Sequence, residues 1–138
     1  MGRIVSIDYG KKRTGIAATD ILRIAANGIA TVPTIELPGF LKRYVEKEPV
    51  DLFVVGYPRK MNYQPSENAE SVEMFTQKLK EMFPDIPVEY VDERFTSKLA
   101  QQAILESGIK KMKRRDKALI DEISAVIILQ TYLENKHL

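Results

Sequence analysis

The sequence predicts an α/β protein: a mixed five-stranded sheet with helices on both faces. Three observations predict it. Three β-rich segments follow one another within the first 32 residues, too closely to admit helices between them. Two further apolar strands are separated by helical stretches, the pattern of right-handed parallel crossovers. Finally, 138 residues with 44% hydrophobic and 29% charged side chains suit one globular domain, 1–138, with its own core.

Residues Arg3 to Asp8 read as a strand rich in β-branched residues, and Tyr9 to Arg13 as a turn. Thr14 to Thr19 is a second strand, weakened by its small residues. Ile24 to Val32 is a third, with Asn27-Gly28 marking a bulge or bend. These three form an antiparallel meander. The rhythm then changes. Phe40, Leu41, Tyr44, Val45 and Glu48 sit at helical spacing after Pro38, which suits a helix start. Asp51 to Gly56 is a short buried strand. Ser66 to Met82 is helical, with Ala69, Val72, Phe75 and Leu79 on one stripe. Val88 to Asp92 is the fifth strand. Thr96 or Ser97 caps a helix that Gly108 ends, and a last helix runs from about Asp116 to Asn135. The order is therefore β-β-β-α-β-α-β-α-α.

Composition narrows the chemistry. The chain has no Cys, which removes thiolate nucleophiles and Cys-type zinc sites and suits a reducing cytoplasm. Its one histidine, His137, is the penultimate residue, a position that predicts no catalytic task. Catalysis then rests on carboxylates rather than on a Ser-His-Asp arrangement. No apolar run approaches the about 18 residues of a membrane span, and Met1 leads directly into strand sequence, which predicts no signal peptide. The expected location is cytoplasmic.

Net charge is only +2, but it is uneven. Lys110 to Lys117 holds six basic residues and one acid, a net of +5, so the remainder carries −3. Such a concentrated cationic segment suits nucleic-acid phosphates, although a solvated loop has the same composition.

Acids stand where an open α/β sheet collects ligands, at the carboxyl ends of strands. The first strand ends in Asp8 and the fifth in Asp92-Glu93, while Asp121-Glu122 opens the last helix. Gly56 ends the fourth strand at the same rim. Three converging carboxylates repel unless a cation joins them, and hard oxygen donors favour Mg²⁺ or Mn²⁺. Two such ions suit phosphodiester hydrolysis and need neither His nor Cys. Strand alternation lets only one of Asp92 and Glu93 join Asp8. Helical periodicity puts Asp121 on a polar stripe with Lys117, Ser124 and Thr131, and Glu122 on an apolar arc with Ala118, Leu119, Ala125 and Leu129. Periodicity would thus turn Asp121 to solvent and does not select the ligand. Gly10 and Gly15 read either as hairpin glycines with positive φ or as points of close approach by a phosphate or metal. They do not form a P-loop, since Ile16 follows Gly15.

Four segments together resemble the YqgF (RuvX) family of Holliday-junction-resolvase-like proteins, members of which are named as pre-16S rRNA nucleases. They are Ile7-Asp8-Tyr9-Gly10-Lys11-Lys12-Arg13-Thr14-Gly15, Val55-Gly56-Tyr57-Pro58, Val91-Asp92-Glu93-Arg94-Phe95-Thr96-Ser97 and Ile120-Asp121-Glu122-Ile123-Ser124-Ala125-Val126-Ile127-Ile128-Leu129-Gln130. The resemblance spans essentially the whole chain. It implies a ribonuclease-H-like fold and metal-dependent cleavage of structured nucleic acid, in bacteria trimming of the 16S rRNA 5′ end. It carries over Asp8, Glu93 and Asp121 as the catalytic, metal-holding acids, and suggests that Arg94 and the basic segment hold the substrate backbone. One departure is the loop after Pro58. The family often has Met-Asp-Gly there, whereas Met61 is followed by Asn62-Tyr63-Gln64, which bears on substrate preference. Tyr63 is a candidate for stacking on an unpaired base.

The functional expectation is a Mg²⁺- or Mn²⁺-dependent endonuclease. Lys11, Lys12, Arg13, Arg59, Lys60 and Arg94 are candidate phosphate contacts, and Lys113, Arg114 and Arg115 extend the track. Its partners are an rRNA precursor, within a ribosomal particle or outside one, or branched DNA. The sequence does not choose between them and leaves the oligomeric state open. Two rivals stand beside it: a non-catalytic RNA-binding ribosome-assembly factor, and an actin-like phosphotransferase, which normally needs two such domains around a nucleotide.

Overall fold

The structure is a computed structural model of the chain. It describes residues 2–23, 25–57, 69–92 and 117–136. Strands β1 (Arg3–Asp8), β2 (Arg13–Thr19) and β3 (Ala26–Pro33) come first. A 3₁₀ turn, Thr34–Glu36, leads into helix α1 (Leu37–Lys47). Strand β4 (Val50–Tyr57), helix α2 (Ala69–Met82), strand β5 (Val88–Asp92) and helix α3 (Lys117–Lys136) follow. The helix expected between Thr96 and Gly108 lies outside the described residues.

The strand order is β3-β2-β1-β4-β5. The meander β1-β2-β3 is antiparallel, whereas β4 pairs parallel to both β1 and β5. The mixed sheet expected from the sequence is therefore present. The bulge expected at Asn27-Gly28 falls one residue on, where β3 skips Ile29 between its pairings to Ile16 and Ala17. Strand β1 lies at the centre, so both of its faces must be covered. Val5 and Ile7 join the larger core beneath α1 and α2, while Ile4 joins a second core beneath α3. Ser6 shares the α3 face. Its burial is satisfied because its Oγ donates a 2.6 Å hydrogen bond to the carbonyl of Ala125.

Helix α2 buries Ala69, Val72, Phe75 and Leu79, the stripe its spacing predicts, together with Thr76. Helix α1 buries Leu37 and Leu41 and leaves Phe40, Tyr44 and Val45 partly covered against the same core. Helix α3 differs. Its buried line runs through Ser124, Ala125, Ile128 and Leu129. Small side chains on both sides let this helix approach the sheet closely. At Gly15 of β2 an added Cβ would collide with the backbone carbonyl of Asp121. At Gly28 of β3 it would come within 2.6 Å of the Glu122 carboxylate. Neither Gly10 nor Gly15 has positive φ. What crowds them is the protein's own backbone, the carbonyl of Arg13 at Gly10 and that of Asp121 at Gly15, rather than a bound phosphate or metal.

The two contacts differ in kind. Backbone pressed on backbone can relax only by moving α3, whereas the Glu122 side chain can swing aside. Gly15→Ala is expected to lower the unfolding free energy by about 1–3 kcal/mol, the usual cost of overpacking, and Gly28→Ala by well under that. Urea unfolding of both variants measures the difference; equal costs would contradict the seating of α3 on Gly15.

Candidate active site at the end of the central strand

The acids at the sheet rim can be placed by register. Asp8 faces Gly15 across the β1-β2 ladder. The face follows from alternation: Ile4 and Ser6 contact the α3 side, so Asp8 also points there. Gly15 is the residue on which the backbone of Asp121 rests. Asp8 and Asp121, separated by more than a hundred positions, thus lie at one sheet end on one face. Asp8 is half-buried and is already engaged in an interaction of its own.

Asp121 is not turned to solvent as its polar stripe predicts. Its side chain is 24% exposed and stands at the head of the buried line of Ser124, Ala125, Ile128 and Leu129. Hydropathy places Ala125 and Leu129 on the buried side as found, but misjudges Ser124, because side-chain size also decides which residues can approach the sheet. Ser124 is small enough to be buried at 1% exposure. Glu122 leans over β3 at Gly28, towards the sheet edge.

Asp92 sits on the wrong face. It is the register partner of Tyr57, which belongs to the core beneath α1 and α2, whereas Val91 belongs to the core beneath α3. Asp92 therefore leaves β5 on the side opposite Asp8. Glu93, the other member of that pair, lies outside the described residues. So do Arg59, Lys60, Arg94, Lys113, Arg114, Arg115 and Tyr63. Among the described residues no group of three or more acids or imidazoles forms a metal-binding cluster.

The cations of the β1-β2 turn divide by role. Lys11 and Lys12 are exposed at the tip. The tip is held from behind by Thr34, whose N–H donates to the carbonyl of Lys12 at 2.9 Å and whose hydroxyl donates to the carbonyl of Gly10. Thr34 Oγ1 also lies 2.9 Å from Thr14 Oγ1. Arg13 is turned inward. Its Nε donates to Asp121 Oδ2 at 2.9 Å, an ion pair that sequence reasoning did not foresee. The only sequence signal for it is that Arg13 shares the face of Gly15, two residues on. The arginine side chain remains 39% exposed, so the same guanidinium is also open to an anion arriving from solvent.

The RuvX family model, described as Holliday junction resolvase, matches residues 2–135. The chain belongs to the RuvX family. A relative from Parabacteroides distasonis, named "Putative pre-16S rRNA nuclease", is 64% identical over 99% of this chain and 97% of its own length. Relatives of the same name from Porphyromonas gingivalis and Bacteroides fragilis are 62% and 57% identical, over 98% and 100% of this chain and the same shares of their own lengths. Among solved structures, Thermus thermophilus RuvC in complex with a Holliday junction substrate matches with a TM-score of 0.59 at 17% identity, covering 98% of this chain and 96% of that one. A second structure of that RuvC matches at a TM-score of 0.51 and 14% identity, covering 97% and 96%. The RuvX chain thus has the ribonuclease-H-like fold: a five-stranded mixed sheet with helices on its two faces. No described helix is long and apolar enough to cross a membrane.

The Arg13–Asp121 pair is part-exposed, and such pairs contribute about 0–1 kcal/mol. Arg13→Gln is expected to lower stability by less than about 1 kcal/mol, with the difference shrinking as salt screens the pair. Chemical unfolding at low and high ionic strength checks this; a loss above about 2 kcal/mol that salt leaves unchanged would contradict a surface-type pair.

Proposed function

We propose that the protein is a divalent-metal-dependent endonuclease that hydrolyses phosphodiester bonds in structured nucleic acid, with the 5′ end of precursor 16S rRNA as its substrate. One observation carries the reading. Asp8 and Asp121, from remote parts of the chain, share one sheet end and one face, with a guanidinium beside them. Family membership and the names of relatives at 57–64% identity support a nuclease that acts on rRNA.

Whether the residues suit a metal is a question of donor chemistry. The two carboxylates offer only oxygen, and Asp121 rests on a glycine whose missing side chain leaves the helix backbone against β2. Hard oxygen donors at a strand end fit Mg²⁺ or Mn²⁺. Asp8, Asp121 and Glu93 would hold the ion or ions. Glu93 is assigned because Asp92 faces away. When bound, the metal would make a coordinated water easier to deprotonate and supply positive charge for the departing oxygen. The remaining tasks fall to the chain itself. Arg13 fixes the Asp121 carboxylate by a directed hydrogen bond and neutralises part of its charge while the metal is away. Lys11 and Lys12, on a turn braced by Thr34, hold the phosphate backbone at the rim. Arg59, Lys60, Arg94, Lys113, Arg114 and Arg115 are assigned to the same backbone on sequence grounds.

Branched DNA is the second substrate to test, because the family's description is Holliday junction resolvase. Precursor rRNA and four-way DNA junctions are incubated with the protein, with and without Mn²⁺. Metal-stimulated cutting of the rRNA precursor is expected, and Asp8→Asn is expected to slow it by at least about a hundredfold, beyond what loss of a supporting group costs, while the variant stays folded. Cutting by the variant at the parental rate, or equal cutting in chelator, would overturn the assignment; preferential cutting of junctions would move the substrate to DNA.

A further inference from the structure

Tyr9 follows Asp8 directly, and alternation sends the two side chains to opposite faces of the sheet. Asp8 points to the α3 side. Tyr9 packs into the core beneath α1 and α2, with its ring stacked on Phe75 at a centroid distance of 4.6 Å and an interplanar angle of 16°. Both rings line a cavity of about 480 Å³ between the β1-β2 turn, the start of α1 and helix α2. That volume lies within the about 300–1,000 Å³ range of small-ligand sites.

The rest of the lining has a consistent chemistry. Ile35, at 91% exposure, and Met74, at 61%, are apolar side chains left open at the cavity. Thr34, Leu37, Pro38, Ser71, Lys11 and Lys78 complete the lining, and among the described residues no carboxylate belongs to it. Among the described residues no ion pair engages either lysine. Aromatic and thioether surfaces beside ammonium groups complement a flat, polarizable base attached to phosphates. A peptide would need acidic side chains to match the lysines and gains nothing specific from the stacked rings.

We infer that this cavity binds one unpaired nucleotide of the substrate strand, its base against Tyr9, Ile35 and Met74 and its phosphates reached by Lys11 and Lys78. The inference rests on the nuclease reading for the identity of the strand. Because Asp8 and Tyr9 are consecutive, a strand passing over the end of β1 meets the carboxylates on one side and the cavity on the other. The nucleotide held there is a near neighbour of the phosphate at Asp8. The cavity thus makes the enzyme favour a target with an unpaired residue beside the cut over a continuous duplex.

The test is binding in chelator, where no cleavage occurs. A single-stranded RNA hexamer carrying one 2-aminopurine is titrated with the full chain and followed by base fluorescence and by anisotropy. Met74→Glu and Lys78→Glu are expected to weaken binding by about tenfold and to abolish the quenching that stacking causes, in line with the effect of removing one stacked base. Met74→Leu restores parental binding. Lys80→Glu, on the same helix but outside the cavity, is expected to change affinity less than about twofold. Affinity unchanged in the two cavity variants, or lost equally in Lys80→Glu, would overturn the inference. The two readings fail separately. Cavity-dependent binding without any metal-stimulated cutting refutes the nuclease alone; cutting with cavity-independent binding refutes the cavity alone.

Discussion

The structure turns on the contact between the second turn of α3, at Asp121, and Gly15 of β2. There a helix backbone lies on a strand backbone with no side chain between them. A glycine opposite Asp8 in the ladder is what allows it. The consequence is chemical as much as steric. Any side chain at position 15 would push the carbonyl of Asp121 off the sheet and shift the helix that carries it. The small residues on the same two elements, Ala17 on β2 and Ser124 and Ala125 on α3, continue the close approach inward, and the Ser6 hydroxyl fixes it by bonding the Ala125 carbonyl.

The end of β1 then serves two faces. On the α3 side stand Asp8, Asp121 and the Arg13 guanidinium that holds Asp121. On the other stand Tyr9, the Phe75 ring beneath it and an open cavity with lysines at its edges. Thr34 ties the intervening turn to the start of α1, so both faces are referred to one rigid frame. The proposed hydrolytic site and the inferred nucleotide cavity thus lie on opposite faces of the sheet, next to consecutive residues.

Much of the fold was legible because its signals are local. Three closely spaced strands imply a meander, helices between strands imply parallel crossovers, and the Ala69-Val72-Phe75-Leu79 stripe packs as its period requires. Acids at strand ends were legible for the same reason. The face of Asp121 was not. Hydropathy grouped it with Ser124 and Thr131, but Ser124 is buried because its size, not its polarity, suits the approach to β2. The face of Asp92 needed the β4-β5 register, which pairs it with Tyr57 on the α1 and α2 side. The Arg13–Asp121 pair and the cavity join segments far apart in the chain, and no local pattern encodes them. Family resemblance named Asp121 where periodicity turned it outward, since it carries the outcome of packing without its cause.

The account is tested most directly by locating the metal. Crystals grown with Mn²⁺, with data collected at a wavelength where manganese scatters anomalously, are predicted to show a peak at the carboxylates of Asp8 and Asp121. A peak elsewhere, or none at a Mn²⁺ concentration that supports cleavage, would contradict it.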